Sequence, residues 1–116
     1  MKLHKLLEDY DLHDSLVEDI QFDADKKRLI IGIELCNWRQ KSYKENEPEM
    51  LSCKLIFDRV RKYEFDTDYK TFEDNEILEA EIIHTKNGNK LKLALYGIDV
   101  KVIEIQSDNV EIEFLR

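Results

Sequence analysis

The segment Arg28–Trp38, with the sequence RLIIGIELCNW, decides the fold of this chain. Every second residue along most of it is aliphatic, which is the pattern of a β-strand that buries one face. Gly32 stands in the middle of the opposite face, where a glycine indicates a bulge or a close backbone approach. The residues predicted to face the core are Leu29, Ile31, Ile33 and Leu35.

Outward from this strand, the same alternation recurs along most of the chain. The first ten residues differ, because their apolar side chains have helical spacing and so predict one short helix. The polar stretch 39–50 holds the only proline and is predicted to be a loop. Further strands are predicted at 15–22, at 51–57 with an extension as far as Tyr63 or Phe65, at 77–85, at 90–96, at 100–106 and at 110–115.

Two turns and two strand faces follow from the same patterns. Asn87-Gly88 is a strong hairpin signal and predicts a two-residue turn with positive φ at both residues. Ser107-Asp108-Asn109 is predicted to be the turn between the last two strands. One strand is predicted to place Leu16, Ile20 and Phe22 on a common face, and another Leu78, Ala80 and Ile82.

The predicted fold is mainly β, with residues 1–116 forming a single domain. Six to seven strands with turns between them, and no helical pattern to cross over, indicate an antiparallel meander. We expect it to form a sandwich or a strongly curved sheet, with one short N-terminal helix. The predicted core consists of Leu29, Ile31, Ile33, Leu35, Leu55, Phe57, Leu93, Leu95, Ile103, Ile105 and Ile112.

The charge of the chain is unevenly distributed. Its formal net charge is −8, which argues against a nucleic-acid binder, since such a protein must neutralise phosphates. Residues 64–81 hold eight acidic side chains and one lysine, mixed with aromatic residues. This segment is either a solvated surface or a docking surface for a basic protein. The predicted partner-binding residues are Asp66, Asp68, Tyr69, Phe72, Glu73, Asp74 and Glu76.

A second polar site is predicted at His13, Asp14 and Ser15. These are the residue types of a catalytic triad, but neighbouring residues on an extended chain point to opposite sides. No glycine-flanked nucleophile elbow surrounds Ser15. The simpler interpretation is a polar junction between helix and strand, in which Asp14 or Ser15 bonds free backbone groups.

The sequence predicts no metal site and no cofactor. The three histidines are scattered, and the calcium-loop-like start at Asp66 lacks the glycine and glutamate that such a loop requires. Cys36 and Cys53 are expected to pack on neighbouring strands as reduced thiols. Without a long apolar run or an export signal, we expect no membrane interaction and a cytoplasmic location.

The stretch Leu12–Ser15, LHDS, followed by the strand RLIIGIELCNW, resembles a group of small bacterial proteins. These have a His-Asp-Ser or His-Asp-Gly motif near the start and β-hairpins after it. Some of them are immunity proteins of polymorphic-toxin systems. The resemblance covers residues 12–38 best, and it implies an antitoxin that binds its toxin stoichiometrically without catalysis.

The sequence thus favours a non-catalytic protein-binding module, with an immunity-type inhibitor of a basic toxin domain as its specific form. Two alternatives stay open. One is a small-ligand-binding protein or metal-assisted enzyme that uses the region of His13 and Asp14. The other is a structural homo-oligomer that buries a sheet edge.

Overall fold

A computed structural model describes residues 1–65, 75–96 and 100–115 of the chain. It confirms a mainly β fold with antiparallel strands in one sheet and a single short N-terminal helix. In the described residues the elements are α1 (Leu3–Asp9), β1 (Leu16–Asp23), β2 (Arg28–Cys36), a 3₁₀ turn (Asn37–Arg39), β3 (Met50–Phe65), β4 (Glu76–Thr85), β5 (Gly88–Tyr96) and β6 (Val100–Phe114). No helix in this part of the chain is long and apolar enough to cross a membrane.

The sheet consists of two three-stranded meanders that curve round into a closed barrel. The strand order is β1-β2-β3-β6-β5-β4, so β3 pairs with β6 rather than with β4, which follows it in the chain. The β3–β6 ladder is long and runs from the pair Cys53–Phe114 to the pair Phe65–Ile103. On the opposite side, the pairing of β1 with β4 among the described residues is the single pair Leu16–Glu76. We call this second junction the seam.

The barrel interior holds the predicted core. Every predicted core residue is buried except Ile112, which is half-buried and packs against the others. Leu3 and Leu6 of α1 are buried in the same cluster, so the helix exists because its apolar face covers the core.

Two β-bulges shift strand faces by one residue from the predicted pattern. The bulge of β1, between Val17 and Asp19, buries Val17 and leaves Leu16 exposed, whereas Ile20 packs against the core, so Leu16 and Ile20 do not share a face as predicted. The bulge of β4, between Ile77 and Glu79, likewise buries Ile77 and exposes Leu78. An extra residue on one strand reverses the side-chain alternation beyond it, so the predicted places of Leu16 and Leu78 are wrong.

The close approach at Gly32 is made by a side chain, and not by backbone as the sequence predicted. The carboxyl group of Asp19 lies over Gly32, in the space that a Cβ would need. Asp19 is opposite Gly32 in the ladder, directly after the bulge of β1.

The two predicted turns differ from the structure. Gly88 has the expected positive φ of 114°, but it pairs with Thr85, so the central turn residues are Lys86 and Asn87. Asn87 does not have a positive φ; its N–H donates instead to the Thr85 hydroxyl, at 3.2 Å.

The predicted hairpin around Ser107-Asp108-Asn109 is also wrong, because β6 continues through these residues as one strand. The Ser107 hydroxyl donates to the carbonyl of Asp58 on β3, so the polar residues bond to the neighbouring strand instead of turning. The irregularity lies on β3, between Val60 and Lys62. In a sequence, three polar residues inside a long strand look like a turn, because their hydrogen bonds to the neighbouring strand cannot be seen there.

Candidate functional site

The predicted partner-binding residues lie largely outside the described part of the chain. This holds for Asp66, Asp68, Tyr69, Phe72, Glu73 and Asp74. Glu76 is described and begins β4, where it is opposite Leu16 on one side and Tyr96 on the other. The only member of the predicted set with a described position therefore lies at the seam.

Asp14 and Ser15 hold the backbone together at this seam. The Asp14 N–H donates to the Ile77 carbonyl at 2.9 Å, and the Ile77 N–H donates to the Ser15 carbonyl at 2.7 Å. The buried Ser15 hydroxyl oxygen accepts the Cys36 N–H at 2.9 Å. These bonds are those of the polar junction between helix and strand. Asp14 adopts a positive φ of 66°, a conformation that aspartate tolerates better than most residues.

The three residues of the alternative polar site do not form one reactive surface. His13 and Asp14 are partly exposed and contact each other, with 2.8 Å between Nδ1 and Oδ1. Ser15 is fully buried, and its hydroxyl already bonds to the β2 backbone. Two grooves of about 310 and 380 Å³ lie beside the end of α1, but His13 and Asp14 line neither of them.

Arg39 joins the loop before β1 to the turn after β2. Its Nη1 lies 3.5 Å from Asp14 Oδ2, and its Nε lies 3.4 Å from Asp11 Oδ2. Glu76 also contacts Asp14, and the hydrogen bond with Asp14, burial and the negative charge of Asp14 raise the pKa of the Glu76 carboxyl. A cation, a histidine and one further carboxyl group thus meet around Asp14.

The turn Asn37–Arg39 is firmly attached to its surroundings. The Asn37 N–H donates to the Glu49 carbonyl at 2.7 Å, and its side-chain amide donates to the Pro48 carbonyl at 2.8 Å. The Gln40 side chain exchanges two hydrogen bonds with the Asp11 backbone, at 2.7 and 3.0 Å. The orientation of the turn is therefore fixed.

This fixed turn presents Trp38 to solvent. The side chain is 48% exposed, and the Arg39 guanidinium lies over its ring at 5.3 Å from the centroid. Arg39 also contacts Asp11 and Asp14, and these two ion pairs help to hold its guanidinium group against the Trp38 ring.

Apolar side chains continue this surface on the other side of the seam. On the outer face, Leu16 of β1 pairs with Glu76 of β4, and Glu76 pairs with Tyr96 of β5. Tyr96 in turn pairs with Val100 of β6. Tyr96 is 52% exposed and Val100 is 59% exposed. We call this continuous set of residues the seam surface: Trp38, Arg39, Asp14, Leu16, Glu76, Tyr96 and Val100.

Two of the four described acidic residues of segment 64–81 are paired with lysines. Lys62 lies 3.1 Å from Glu64, and Lys92 lies 3.8 Å from Glu81. Glu76 and Glu79 form no ion pair with a described lysine or arginine. The neighbour of Glu76 is the Asp14 carboxyl group, which itself contacts Arg39 and His13.

Both cysteines are free and buried, on the neighbouring strands that were predicted. Burial, and after it the charge of Glu34, raises the pKa of Cys53 to about 12. Burial also raises the pKa of Cys36. The thiolate forms are therefore disfavoured. Across the described ranges, no group of three or more His, Cys, Asp or Glu residues could hold a metal ion.

Sequence reasoning did not place Trp38, Arg39 or Tyr96 in a site. Tyr96 follows the inward series Leu91, Leu93 and Leu95 by one residue, so the alternation already directed it outward. Trp38 offered no such signal, because its exposure depends on the turn that replaces the end of the predicted strand.

No protein-family model matches this chain. No curated protein matches it either.

Proposed function

We propose that this protein is a non-catalytic protein-binding module that docks a basic protein on the seam surface. The observation that carries the proposal is the exposed Trp38 on a turn fixed by hydrogen bonds. Tryptophan, tyrosine and arginine are the residues most enriched among interface hot spots. Here Trp38 and Arg39 are already ordered, so binding would cost little side-chain entropy.

The charges of the seam surface favour a basic partner. Asp14 is already paired with Arg39, whereas Glu76, beside Tyr96, forms no ion pair with a described lysine or arginine, so Glu76 is the carboxyl group here that can attract a cation of the partner. The acidic residues of segment 66–74 come shortly before β4 in the sequence and add to the negative net charge of the protein. The field of this charge accelerates the encounter with a basic protein and weakens as salt increases.

In its specific form, the proposal is an immunity-type inhibitor that binds a basic toxin domain in the cytoplasm. The resemblance of Leu12–Ser15 and the following strand to immunity proteins supports this form. An inhibitor of this kind needs a rigid complementary surface and no reactive group. The buried Ser15 hydroxyl, already bonded to Cys36 N–H, is consistent with that requirement.

The proposal is tested by affinity capture from an extract of the source cells with the tagged full chain, followed by binding kinetics with the purified partner. Trp38→Ala is expected to raise the dissociation rate by about thirtyfold, as the loss of a hot-spot anchor does. Phe114→Ala is the matched control, since Phe114 is 43% exposed but lies outside the seam surface.

The charge is tested separately. Glu76→Lys is expected to slow association and reduce its salt dependence, whereas Glu111→Lys serves as the control on an exposed position of β6. Equal binding of the wild type, the Trp38 variant and the seam charge variant, at low and at high salt, would refute the proposal.

The acidic segment contributes its own prediction. Reversing Asp66, Asp68 and Asp74 to lysine is expected to slow association more than it changes dissociation, because rim charges steer the partner's approach. Tyr69→Ala or Phe72→Ala is expected to raise the dissociation rate instead. If the charge-reversed variant and the wild type associate with the partner at equal rates at every salt concentration, the segment is only a solvated surface.

A further inference from the structure

A cavity of about 340 Å³ lies at the turn between β4 and β5, which is the end of these two strands away from the seam. The start of α1, the irregular part of β3 and the middle of β6 form its other walls. Every residue that lines it belongs to the described part of the chain. Its polar side chains are those of Lys2, His4, Arg61, Asn89, Ser107 and Asp108.

Gly88 allows the Arg61 side chain to lie along the wall of this cavity. Arg61 belongs to the irregularity of β3, between Val60 and Lys62. A Cβ at position 88 would be 2.9 Å from Arg61 Nη2, so the guanidinium group uses space that a larger residue would fill. The positive φ of Gly88, 114°, favours glycine for a second reason. The Arg61 side chain therefore reaches from β3 across β6 to the turn between β4 and β5.

Asp108 orients the Arg61 guanidinium group and leaves part of it available. Asp108 Oδ1 lies 2.7 Å from Arg61 Nη2. No described acceptor bonds to Nε or Nη1 of Arg61. Because a guanidinium group has five N–H donors in a fixed fork, the pairing with Asp108 leaves several donors for a ligand.

Further donors line the cavity from other elements. Lys2 is exposed and forms no ion pair with a described carboxyl group. Asn89 Oδ1 lies 2.8 Å from His84 Nδ1, which leaves the NH₂ group of Asn89 as a donor. Ser107 is part of the wall only, because its hydroxyl already donates to the Asp58 carbonyl. The lining thus has two permanent cations, Lys2 and Arg61, and one carboxylate, in a chain whose net charge is −8.

We infer that this cavity binds a small phosphate monoester. The terminal oxygens of a phosphate group point in different directions, so they can accept from Arg61, Lys2 and Asn89 together, whereas a planar carboxylate matches the guanidinium fork alone. A phosphate group fills only part of a cavity of about 340 Å³, which leaves room for a small organic group. A polynucleotide does not fit, because the net charge of −8 repels a chain of phosphates.

The experiment is a titration of the full chain with glycerol 3-phosphate, followed in ¹H–¹⁵N NMR spectra at constant ionic strength. The amide signals of Gly88 and Asn89 are expected to shift and to saturate, whereas those of Glu76 and Tyr96 at the seam should not move. Glycerol and acetate are the control probes, since the first lacks a phosphate group and the second is a planar carboxylate. Inorganic phosphate is expected to bind more weakly than the ester, because it leaves part of the cavity unfilled.

Matched variants separate the cavity from the general charge of the surface. Arg61→Gln and Lys2→Gln are each expected to weaken binding of the ester about tenfold or more, for the loss of a hydrogen bond from a cation. Arg59→Gln and Lys5→Gln are the controls and should bind like the wild type, because these exposed residues lie on the same two elements but do not line the cavity. Well-dispersed amide spectra show that each variant is folded.

Three results would overturn the inference. The first is the absence of saturable shifts at Gly88 and Asn89 with the ester, and the second is equal shifts with acetate, which would indicate general attraction of anions. The third is equal binding of the ester by the wild type, Arg61→Gln and Lys2→Gln. Inorganic phosphate that binds as tightly as the ester would overturn the assignment of an ester. Because the seam surface lies elsewhere on the barrel, each of these results leaves the proposed function intact.

Discussion

The two meanders of this barrel meet at two junctions that differ in almost every respect. At the β3–β6 ladder, two long strands pair along most of their length over a buried apolar interior. At the seam, the described residues contribute one residue pair and a few bonds from Ser15, Asp14 and Asn75, with charged side chains outside. We therefore expect the stability of the fold to depend mainly on the first junction, which leaves the second available for a binding surface.

The greatest loss of stability is expected from a substitution inside the β3–β6 ladder. Phe57→Ala removes a fully buried ring that lies opposite Val110, and it should lower the free energy of unfolding by about 3–5 kcal/mol. Chemical denaturation measures the loss. Phe114→Ala, near the exposed end of the same strand pair, is the control and should cost much less. A loss as large in the control would show that burial in the interior of the ladder is not the source of the stability lost with Phe57.

A smaller effect is expected at the seam. Ser15→Ala removes the acceptor of the Cys36 N–H and leaves a buried donor unpaired, which should cost about 1–3 kcal/mol. Ser42→Ala, at an exposed loop position, is the matched control. If Ser15→Ala instead unfolds the protein as completely as the most severe core variants, the seam is as essential to the fold as the ladder.

The smallest effect concerns the pH dependence of the seam. Asp14 raises the pKa of Glu76 in the folded state above its value in the unfolded chain, which is about 4.5. The protonated Glu76 therefore stabilises the fold fully below pH 4.5, and this contribution is lost as the pH rises through the folded-state pKa. Glu76→Gln should therefore be more stable than the wild type at neutral pH by only a few tenths of a kcal/mol, after solvent screening.

Denaturation curves at neutral pH and near pH 4.5 measure this difference, which should shrink on acidification. Glu79→Gln, on the same strand, provides the control. A constant difference across this range would show that Asp14 and Glu76 do not interact.

The sequence predicted the parts of the fold that depend on alternation alone. The inward face of β2 and the series Leu91, Leu93 and Leu95 needed only a regular pleat, and both are buried. Leu16 and Leu78 were misplaced because bulges change the alternation by one residue, and a bulge depends on the partner strand. The β3–β6 pairing could not be derived, since strand order depends on contacts between residues distant in sequence.

The candidate site could be predicted only in its local part. The tendency of aspartate and serine to bond nearby backbone groups predicted the junction at Asp14 and Ser15. The path from Trp38 through Arg39 and Asp14 to Tyr96 joins segments far apart in the chain, and no local pattern contains it.

The contact between Asp19 and Gly32 has a consequence for how this chain can evolve. Any side chain at position 32 would have to displace the Asp19 carboxyl, which stands there because of the bulge in β1. A related protein without the extra residue of the bulge could have a larger residue at position 32. A related protein with a larger residue at position 32 and the bulge kept should have a different residue at position 19. The two positions should therefore covary among homologues, together with the length of β1.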